Sequence, residues 1–370
     1  MTPGVRCPDG LEHAHSSPTI PEAMETHVTQ EPTAPAEPTV LVRPEGRVLR
    51  ITLNRPRQIN ALTREMLALI SDAIEAARDD DAIEGILLDG AGERGLCAGG
   101  DITMTVNGTP EELKAFWAEE FDLFIRINQY PKPFVSLMDG ITMGGGIGLS
   151  AHSAIRVVTE RSRIAMPEVR IGFIPDVGGN HILANAPGEL GTHLALTAGD
   201  VFGADAILAG FADHYVDSAS LPALVEAVAH GSRPIADEVR AFEIERPESA
   251  YAPHREWIAE AYAGDDLLEI LARLDARPEP AAQEAAAAIR AMSPNSVVTA
   301  LAAIRRAPAL DLAGVFRMEA AVGHAFMPTW DFKEGVRAQI IDKDRNPQWR
   351  PNRVEDVDLA WVRGIFDQEF

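Results

Sequence analysis

The sequence predicts an α/β fold with a helical C-terminal region, and three observations support this prediction. Short β-branched runs alternate with stretches whose apolar residues recur at helical spacing, which is typical of sheets that pack against helices. Glycine-rich turns follow two of the predicted strands, and helical patterns dominate from Leu221 onward. With 370 residues, 46% of them hydrophobic, the chain can bury a substantial core.

Residues 1–38 are expected to form a disordered leader ahead of the fold. The leader contains the proline-rich segment "EPTAPAEPT" and almost no apolar run. Such a composition cannot bury enough surface to offset the entropy that is lost on ordering. We therefore assign the folded core to residues 39–220 and the helical region to residues 221–370.

The core opens with a predicted β-hairpin. In "VLVRPEGRVLRITLNRP" two β-branched runs flank Glu45 and Gly46, and Pro56 ends the second run because proline cannot continue a central strand. Thr63 is the expected N-cap of the helix that follows. Apolar residues recur in that helix at helical spacing, namely Met66, Leu67, Ile70 and Ile74.

The same alternation continues along the chain. "IEGILLDG" is a predicted buried strand, "PEELKAFWAEEFDLFIRINQ" a helix and "PFVSLMDG" a second strand. A glycine turn and a helix then lead to a further strand, "AIRVVTE". The sequence therefore predicts repeated β and α units before the helical region begins.

Charge and cysteine content exclude several classes of partner. The 56 acidic and 33 basic residues give a net charge of −23, so we expect no binding to nucleic acid, whose phosphates would be repelled. No window approaches the roughly 20 apolar residues of a membrane helix, and no secretory signal begins the chain. The two cysteines, Cys7 and Cys97, suggest neither a disulfide framework nor a metal motif. We therefore expect a cytoplasmic protein that binds no membrane.

Two glycine turns indicate a site for a developing negative charge. "GLCAGGDI" at residues 95–102 and "GITMGGGIGLS" at residues 140–150 each follow a predicted strand. Glycine permits positive φ and close approach, so backbone N–H groups of both turns can converge on one oxygen. Where the second turn opens a helix, unpaired N–H groups add positive potential. The alternatives are simple tight turns and a phosphate-binding loop, but GxGxxG and GxxxxGK[ST] spacing are both missing.

A third segment, "MPEVRIGFIPDVGG" at residues 166–179, places two carboxylates in apolar surroundings. Glu168 and Asp176 are either a catalytic pair or two solvated loop charges. Two such acids in one partly apolar pocket would push their pKa values apart, so that one of them stays protonated.

Together with "DFKEGVRAQIIDKDRNPQW" near the C-terminus, these motifs resemble the enoyl-CoA hydratase/isomerase (crotonase) superfamily over residues 40–349. The resemblance implies a crotonase-like spiral of ββα units that binds an acyl-CoA thioester. It implies no metal and no cofactor, since coenzyme A is part of the substrate. Within the superfamily, the sequence is most similar to the branch that hydrolyses 3-hydroxyisobutyryl-CoA in valine breakdown. Members often form trimers or paired trimers, so a homo-oligomer is one expectation, and a helical end that folds back on its own body is the other.

The resemblance also assigns roles to individual residues. The N–H groups of Gly100 and Gly145 would hold the thioester oxygen, and Glu168 and Asp176 would be catalytic. Further substrate-binding positions lie in the "INAL" segment, in the two glycine turns and on a helix, and they are Asn60, Ala61, Leu62, Ala98, Gly144 and Glu120. For Glu120 a solvated helix face is the alternative.

The positions of the acidic residues distinguish a hydrolase from a hydratase. A hydratase of this superfamily needs a second glutamate three positions after the middle glycine of the second turn, and Gly148 stands there. Asp176 stands where the hydratase pattern has glycine, as in the hydrolase branch. Hydrolysis of a 3-hydroxyacyl-CoA thioester is therefore the leading prediction. The alternatives are an enoyl-CoA hydratase or isomerase that acts through Glu168 alone and a non-catalytic acyl-CoA-binding protein.

Other polar residues are expected to be structural. No serine or cysteine nucleophile motif accompanies His152 or His181. The residues Arg337, Asp342 and Lys343 are expected to fix the C-terminal segment over the body.

Overall fold

The computed structural model describes residues 37–101, 108–367 and 370. The leader expected at residues 1–38 therefore lies outside the described residues, except for its last two positions. From Pro38 onward the chain clusters as one unit, in which the predicted α/β class is confirmed.

Strands of the described residues form two sheets. The larger sheet has the order β1-β2-β3-β4-β6-β9, in which β1 and β2 are antiparallel and the other neighbours are parallel. The smaller sheet has the order β5-β7-β8, with β7 and β8 antiparallel. The strands are β1 (Val40–Glu45), β2 (Val48–Leu53), β3 (Gly85–Gly90), β4 (Phe134–Leu137), β5 (Ile141–Met143), β6 (Ile155–Val158), β7 (Arg163–Ala165), β8 (Asp200–Phe202) and β9 (His214–Tyr215).

Helices surround both sheets and dominate the C-terminal region. They are α1 (Arg64–Arg78), α2 (Pro110–Asn128), α3 (Gly145–Ser150), α4 (Gly179–Asn185), α5 (Leu190–Thr197), α6 (Asp205–Leu208), α7 (Leu221–His230), α8 (Ile235–Arg240), α9 (Arg255–Ala261), α10 (Leu267–Ala276), α11 (Pro280–Ala291), α12 (Pro294–Arg306), α13 (Leu312–Phe326), α14 (Trp330–Val336) and α15 (Leu359–Phe366). Within the described ranges no single helix has the length and apolar character to cross a membrane. Among the described residues, one pair of helical segments has that length and apolar character only when the two are taken together. The pair is Pro280–Ala291 and Pro294–Ala309, and it is bent by 113°.

Between β4 and β7, consecutive strands enter different sheets, which produces the ββα units that the resemblance implied. β4 joins the larger sheet and β5 the smaller one before α3 begins, and β6 and β7 divide in the same way. The sequence patterns did not predict β5 or β7. Each has three residues, which is too short for an alternation of apolar and polar positions to become visible.

The first predicted elements are confirmed. Val48 lies opposite Glu45 at the end of the hairpin, and the Oγ1 atom of Thr63 accepts a hydrogen bond from the Met66 N–H at 3.2 Å. The predicted apolar stripe of α1 is buried at Met66, Leu67, Ile70 and Ile74. Local patterns were therefore sufficient to place the hairpin and the first helix.

The larger sheet is buried on both faces. Ile86 and Leu88 of β3 face the main core, while Leu87 faces a second cluster that includes Leu224 of α7 and Val239 of α8. Because each face of this largely parallel sheet is covered, β3 reads as a continuous apolar run and not as an alternation.

The C-terminal region packs on the core of its own chain, and one close approach is where α14 meets the 3-10 turn Glu168–Ile171. A Cβ atom added to Gly335 would lie 2.2 Å from the carbonyl carbon of Ile171, and one added to Gly172 would lie 2.2 Å from the Asp331 oxygen. Backbone therefore contacts backbone on the far side of the segment that holds Glu168. Assembly into a homo-oligomer stays a prediction.

The structure corrects the role expected for Arg337. Its guanidinium contacts Glu334 at 2.8 Å, Asp342 at 2.6 Å and Asp344 at 2.7 Å, all within the C-terminal segment. Arg337 thus connects residues within this segment, because Glu334, Asp342 and Asp344 accept its hydrogen bonds. The attachment to the body depends instead on the close approach of α14.

Candidate active site

Both glycine turns and both predicted acids border one cavity of about 340 Å³. Its wall includes the turns after β3 and β5, one face of α2, the 3-10 turn Glu168–Ile171 and the segment after α14. Most of the lining side chains are apolar or aromatic, including Leu113, Phe116, Trp117, Phe173, Phe332 and Ile340. Seven of the predicted site residues meet here, and they are Ala98, Gly100, Glu120, Gly144, Gly145, Glu168 and Asp176.

The N–H groups of Gly100 and Gly145 are neighbours that donate to no acceptor in the described part of the chain. A Cβ atom added to Gly145 would lie 3.6 Å from the Gly100 nitrogen. Gly145 is the first residue of α3, where a helix leaves its N–H groups unpaired. Gly144 has φ 48° and ψ −125°, a conformation that suits glycine alone. Two free donors thus face one cavity, which is the arrangement of an oxyanion hole.

The "INAL" segment supports the first glycine turn from behind. Leu62 donates its N–H to the Gly99 oxygen at 2.9 Å and accepts from the Asp101 N–H at 2.7 Å. The side chain of Asn60 is fully buried and donates to the backbone oxygens of Gly95 and Leu96 at 3.2 and 3.0 Å. Asn60, Ala61 and Leu62 do not line the cavity, so the structure gives this segment a bracing role. Their predicted contact with coenzyme A stays a prediction.

Three acids of the cavity are almost completely buried. The exposed fraction is 3% for Glu120, 6% for Glu168 and 8% for Asp176, so none of them is a solvated surface charge. One carboxylate oxygen of Glu120 and one of Glu168 have no hydrogen-bond partner among the described residues. Buried oxygens without a partner are costly unless a ligand supplies one, so both oxygens are suited to contact a substrate.

Burial dominates the titration of these acids. It raises the pKa of Asp176 to about 7 from the usual 3.8. Burial and then the nearby Asp176 raise the pKa of Glu120 and of Glu168 well above 4.5. Burial thus favours the protonated form of each of these acids. Proton transfer is favourable when the pKa of the acid lies near the working pH, and that of Asp176 does.

The loop that follows Asp176 is held by three buried polar groups. His152 lies with its Nε2 atom 2.7 Å from the Val177 oxygen, and burial lowers its pKa to about 4, so the neutral ring donates to this carbonyl. The carboxylate of Glu319 accepts from the Gly178 N–H at 2.7 Å, and the Asn180 amide donates to the Pro175 oxygen at 2.5 Å. The structural role expected for His152 agrees with this contact.

The sequence motifs did not include Glu319, although its pattern contained a signal. In α13 it occupies the apolar stripe of Val315, Val322 and Phe326, which are all buried. An acid on such a stripe needs buried hydrogen-bond donors, and here the loop after Asp176 supplies them. Its donors lie about 140 residues earlier in the chain, with sequence separations of 141 and 139, so local reasoning could not identify them.

The space for a second acid in the hydratase position is already occupied. A Cβ atom added to Gly148 would lie 2.1 Å from a ring carbon of Phe124. Phe124 is fully buried and packs against Phe316, with ring centroids 6.5 Å apart. The space that a glutamate at 148 would need is therefore filled by an aromatic ring that cannot move aside easily.

Across the described ranges, no group of three or more His, Cys, Asp or Glu side chains could hold a metal ion. Cys97 is buried, and burial raises the pKa of its thiol to about 12, so it is a poor nucleophile. The polar groups that line the cavity are carboxyl groups, backbone N–H groups and the side chains of Arg170 and Gln339.

Comparison with known proteins agrees with this geometry. A family described as enoyl-CoA hydratase/isomerase matches residues 48–366. The chain is 37% identical over 339 residues to the mitochondrial 3-hydroxyisobutyryl-CoA hydrolase of Gallus gallus, covering 88% of each protein. It is 35% identical over 343 residues to the Homo sapiens enzyme of the same name, covering 90% of this chain and 89% of the other. The predicted similarity to the hydrolase branch is confirmed.

Two crystal structures are also similar. A carnitinyl-CoA dehydratase from Mycobacterium thermoresistibile is 45% identical with a TM-score of 0.84, over 90% of this chain and 98% of the other. An enoyl-CoA hydratase from Rhodobacter sphaeroides 2.4.1 is 39% identical with a TM-score of 0.83, over 89% of this chain and 97% of the other. These similarities confirm the predicted crotonase-like architecture.

The cytoplasmic location expected from the sequence is wrong by this comparison, because the curated relatives are named as mitochondrial enzymes. A low cysteine content indicates a reducing compartment and not an oxidising one, but it does not indicate which reducing compartment contains the protein.

Three findings lead to the same conclusion. They are a family match over residues 48–366, curated relatives that cover most of the chain, and one cavity in which two free backbone donors lie beside buried acids. The chain belongs to the enoyl-CoA hydratase/isomerase family.

Proposed function

We propose that this protein hydrolyses a 3-hydroxyacyl-CoA thioester, with 3-hydroxyisobutyryl-CoA as its substrate and 3-hydroxyisobutyrate and coenzyme A as products. Valine breakdown would supply this substrate. The observation that supports the proposal most directly is one cavity in which the free N–H groups of Gly100 and Gly145 lie beside Glu168 and Asp176, while Phe124 fills the place of a second hydratase acid.

The thioester carbonyl oxygen would accept hydrogen bonds from Gly100 and Gly145. As the carbonyl carbon is attacked, negative charge develops on this oxygen, and the two donors already point toward it without reorganisation. A single donor of this kind typically contributes roughly 100- to 1000-fold to the rate. The bracing of the first turn by Leu62 keeps the Gly100 donor in place.

Glu168 has two possible roles that the same geometry allows. As a nucleophile, its carboxylate oxygen attacks the carbonyl carbon, the C–S bond breaks, and water later hydrolyses the resulting anhydride. As a general base, it takes a proton from a water molecule that attacks the same carbon directly. Both routes release coenzyme A as a thiolate that must be protonated, and neither transfers an electron, so the reaction needs no redox cofactor.

Asp176 and Glu120 would recognise the acyl group and manage its protons. With a pKa of about 7, Asp176 can exchange a proton at neutral pH while it contacts the 3-hydroxyl group. The partnerless oxygen of Glu120 lies 2.6 Å from the position of a Cβ atom on Gly145, which places it at the oxyanion donors. A site built to pair with a hydroxyl group rejects analogues that lack it, because its buried polar groups would lose their partner.

A second candidate is hydration or isomerisation of an enoyl-CoA through Glu168. The descriptions of the two similar crystal structures as a dehydratase and a hydratase favour it. Hydration by the two-glutamate route requires an acid at position 148, where glycine stands and Phe124 occupies the space. We therefore rank hydrolysis first. A non-catalytic acyl-CoA-binding protein would need neither Glu168 nor Asp176 in the cavity.

A thiol-release assay separates the three functions. Purified protein is mixed with 3-hydroxyisobutyryl-CoA, 3-hydroxypropionyl-CoA or crotonyl-CoA, and free thiol and enoyl absorbance are followed together. Hydrolysis predicts thiol release from the hydroxylated substrates with no loss of enoyl absorbance from crotonyl-CoA. Loss of enoyl absorbance without thiol release would support the hydratase, and no change with any substrate would support the binding protein.

A further inference from the structure

Glu319 is a buried acid that lies behind the cavity wall and not in it. Its exposed fraction is 1%, and it does not line the cavity. Its carboxylate accepts hydrogen bonds from the N–H groups of Gly178 at 2.7 Å and Asn180 at 3.2 Å, and from the Asn180 side-chain amide at 3.0 Å. The donors belong to the loop that begins at Asp176 and to the first turn of α4, which follows it.

This loop has a backbone conformation that needs support. Val177 has φ 52°, although it is β-branched, and Gly178 follows with φ 76°. A β-branched residue in the left-handed region is strained, and such strain persists only where the surroundings hold it. The Asp176 oxygen accepts from the Gly179 N–H at 2.6 Å, so the turn closes directly behind the catalytic candidate.

The support comes from two side chains. Glu319 holds the loop from α13, and His152 contacts the Val177 oxygen. A Cβ atom added to Gly178 would lie 2.4 Å from the His152 ring, so the loop has no room to shift in that direction. Without Glu319, the N–H groups of Gly178 and Asn180 would be buried without an acceptor, and the loop would move to find one.

We propose that Glu319 is a positioning residue that, through the backbone of residues 177–180, fixes Asp176 where it can contact the hydroxyl group of the substrate. The inference rests on the proposed function, since it assumes a 3-hydroxyacyl group in the cavity. Glu319 thereby determines how strongly the enzyme distinguishes a hydroxylated acyl group from a plain one.

The effect is expected on selectivity because the two halves of the site are held independently. The thioester oxygen meets Gly100 and Gly145, whose turns do not contact Glu319 through any hydrogen bond of the described residues. The contact between Asp176 and a hydroxyl group is short and directional, so a shift of about 1 Å is enough to lose it. Displacement of the loop therefore weakens recognition of the hydroxyl group and spares the contacts to the thioester.

The test compares 3-hydroxyisobutyryl-CoA with isobutyryl-CoA, which has the same carbon skeleton without the hydroxyl group. In Glu319→Gln, an NH2 group replaces one carboxylate oxygen and faces an N–H donor of the loop. We expect kcat/KM for the hydroxylated substrate to fall roughly tenfold or more, while the value for isobutyryl-CoA stays nearly constant. If isobutyryl-CoA turns over too slowly, its inhibition constant against the hydroxylated substrate replaces it.

Glu238→Gln is the matched control. Glu238 of α8 is also a buried acid, 4% exposed, and it does not line the cavity. Its carboxylate accepts a hydrogen bond from the Arg233 guanidinium at 2.6 Å. This variant should alter the melting temperature without changing the ratio of the two kcat/KM values. Glu319→Leu removes both acceptor oxygens and should change the ratio of the two kcat/KM values further. Circular dichroism establishes whether this variant is folded. If the variant is not folded, Glu319→Gln remains the test.

The outcomes are distinguishable. Thiol release by the wild-type protein together with an unchanged substrate ratio in Glu319→Gln would overturn the inference alone. An equal loss for both substrates would show that Glu319 only stabilises the fold, and it would also overturn the inference. Absence of thiol release from the wild-type protein would overturn the proposed function and the inference with it.

Discussion

The two halves of the cavity are built in different ways. The half that would bind the oxyanion uses backbone N–H groups of two glycine turns, both within the first 150 residues, and it is braced by the "INAL" segment. The half with the acids uses side chains on the segment 168–180, which is held by α13 and α14 from the C-terminal region. Local sequence motifs therefore specify the first half, whereas the second half depends on contacts between distant parts of the chain.

The largest effect is expected from Glu168→Gln. This change keeps the size of the side chain but removes the group that attacks the carbonyl carbon or activates water. We expect kcat for 3-hydroxyisobutyryl-CoA to fall roughly 1000-fold, measured by thiol release. A trapped acyl adduct on Glu168 in the wild-type protein would identify the nucleophilic route, whereas full activity of the variant would remove Glu168 from the mechanism.

Gly145→Ala tests the backbone half of the site. The new methyl group would lie 2.6 Å from a Glu120 oxygen and 3.0 Å from a side-chain carbon of Leu62, so either these side chains or the donor turn must move. We expect kcat to fall roughly 100-fold, with a smaller change in KM. Gly100→Ala should lose much less activity, because among the described residues its methyl group would meet only the Phe116 ring, at 3.7 Å. Equal losses in both variants would contradict this difference between the two turns.

Gly335→Ala tests whether α14 supports the acidic half from behind. Its methyl group would lie 2.2 Å from the Ile171 backbone, so either α14 or the turn with Glu168 must shift. We expect a loss of about 1–3 kcal/mol in the free energy of unfolding together with reduced thiol release. Gly364→Ala on α15 is the control, since no atom of the described ranges lies within 4 Å of its added methyl group. A harmless Gly335→Ala would show that the two backbones can separate without consequence.

The smallest effect concerns the pH dependence of stability. Burial raises the pKa of Asp176 to about 7, so folded Asp176 keeps its proton at pH values where the unfolded chain, with a usual value of 3.8, has lost it. Its contribution to stability is therefore complete below pH 3.8 and is lost as the pH rises through 7.

Asp176→Asn removes this titration. We expect the variant to gain stability relative to the wild type between pH 5 and pH 8, by on the order of 1 kcal/mol or more, measured by denaturant unfolding at both pH values. Asp72→Asn, a change at an exposed position, should show no such gain. A constant difference between Asp176→Asn and the wild type at both pH values would mean that Asp176 is not protonated when folded.

The same contrast explains what the sequence could predict. The hairpin, the cap at Thr63 and the two glycine turns depend on neighbours within a few residues, so their patterns were visible. The short strands β5 and β7 had no such pattern, because pairing within the small sheet specifies them. Glu319 and its donors are 141 and 139 residues apart, and only folding brings them together. The acids Glu168 and Asp176 could be identified, but the groups that hold them could not.

The ring of Phe124 beside Gly148 also limits how this chain could acquire a different chemistry. A glutamate at position 148 would collide with the ring at 2.1 Å, while loss of the ring alone would leave a cavity in the core that costs roughly 3–5 kcal/mol. Each single step is therefore harmful, and only the two substitutions together could give a stable protein with a second acid. Laboratory evolution of an acid at position 148 of this chain would therefore need to change position 124 at the same time.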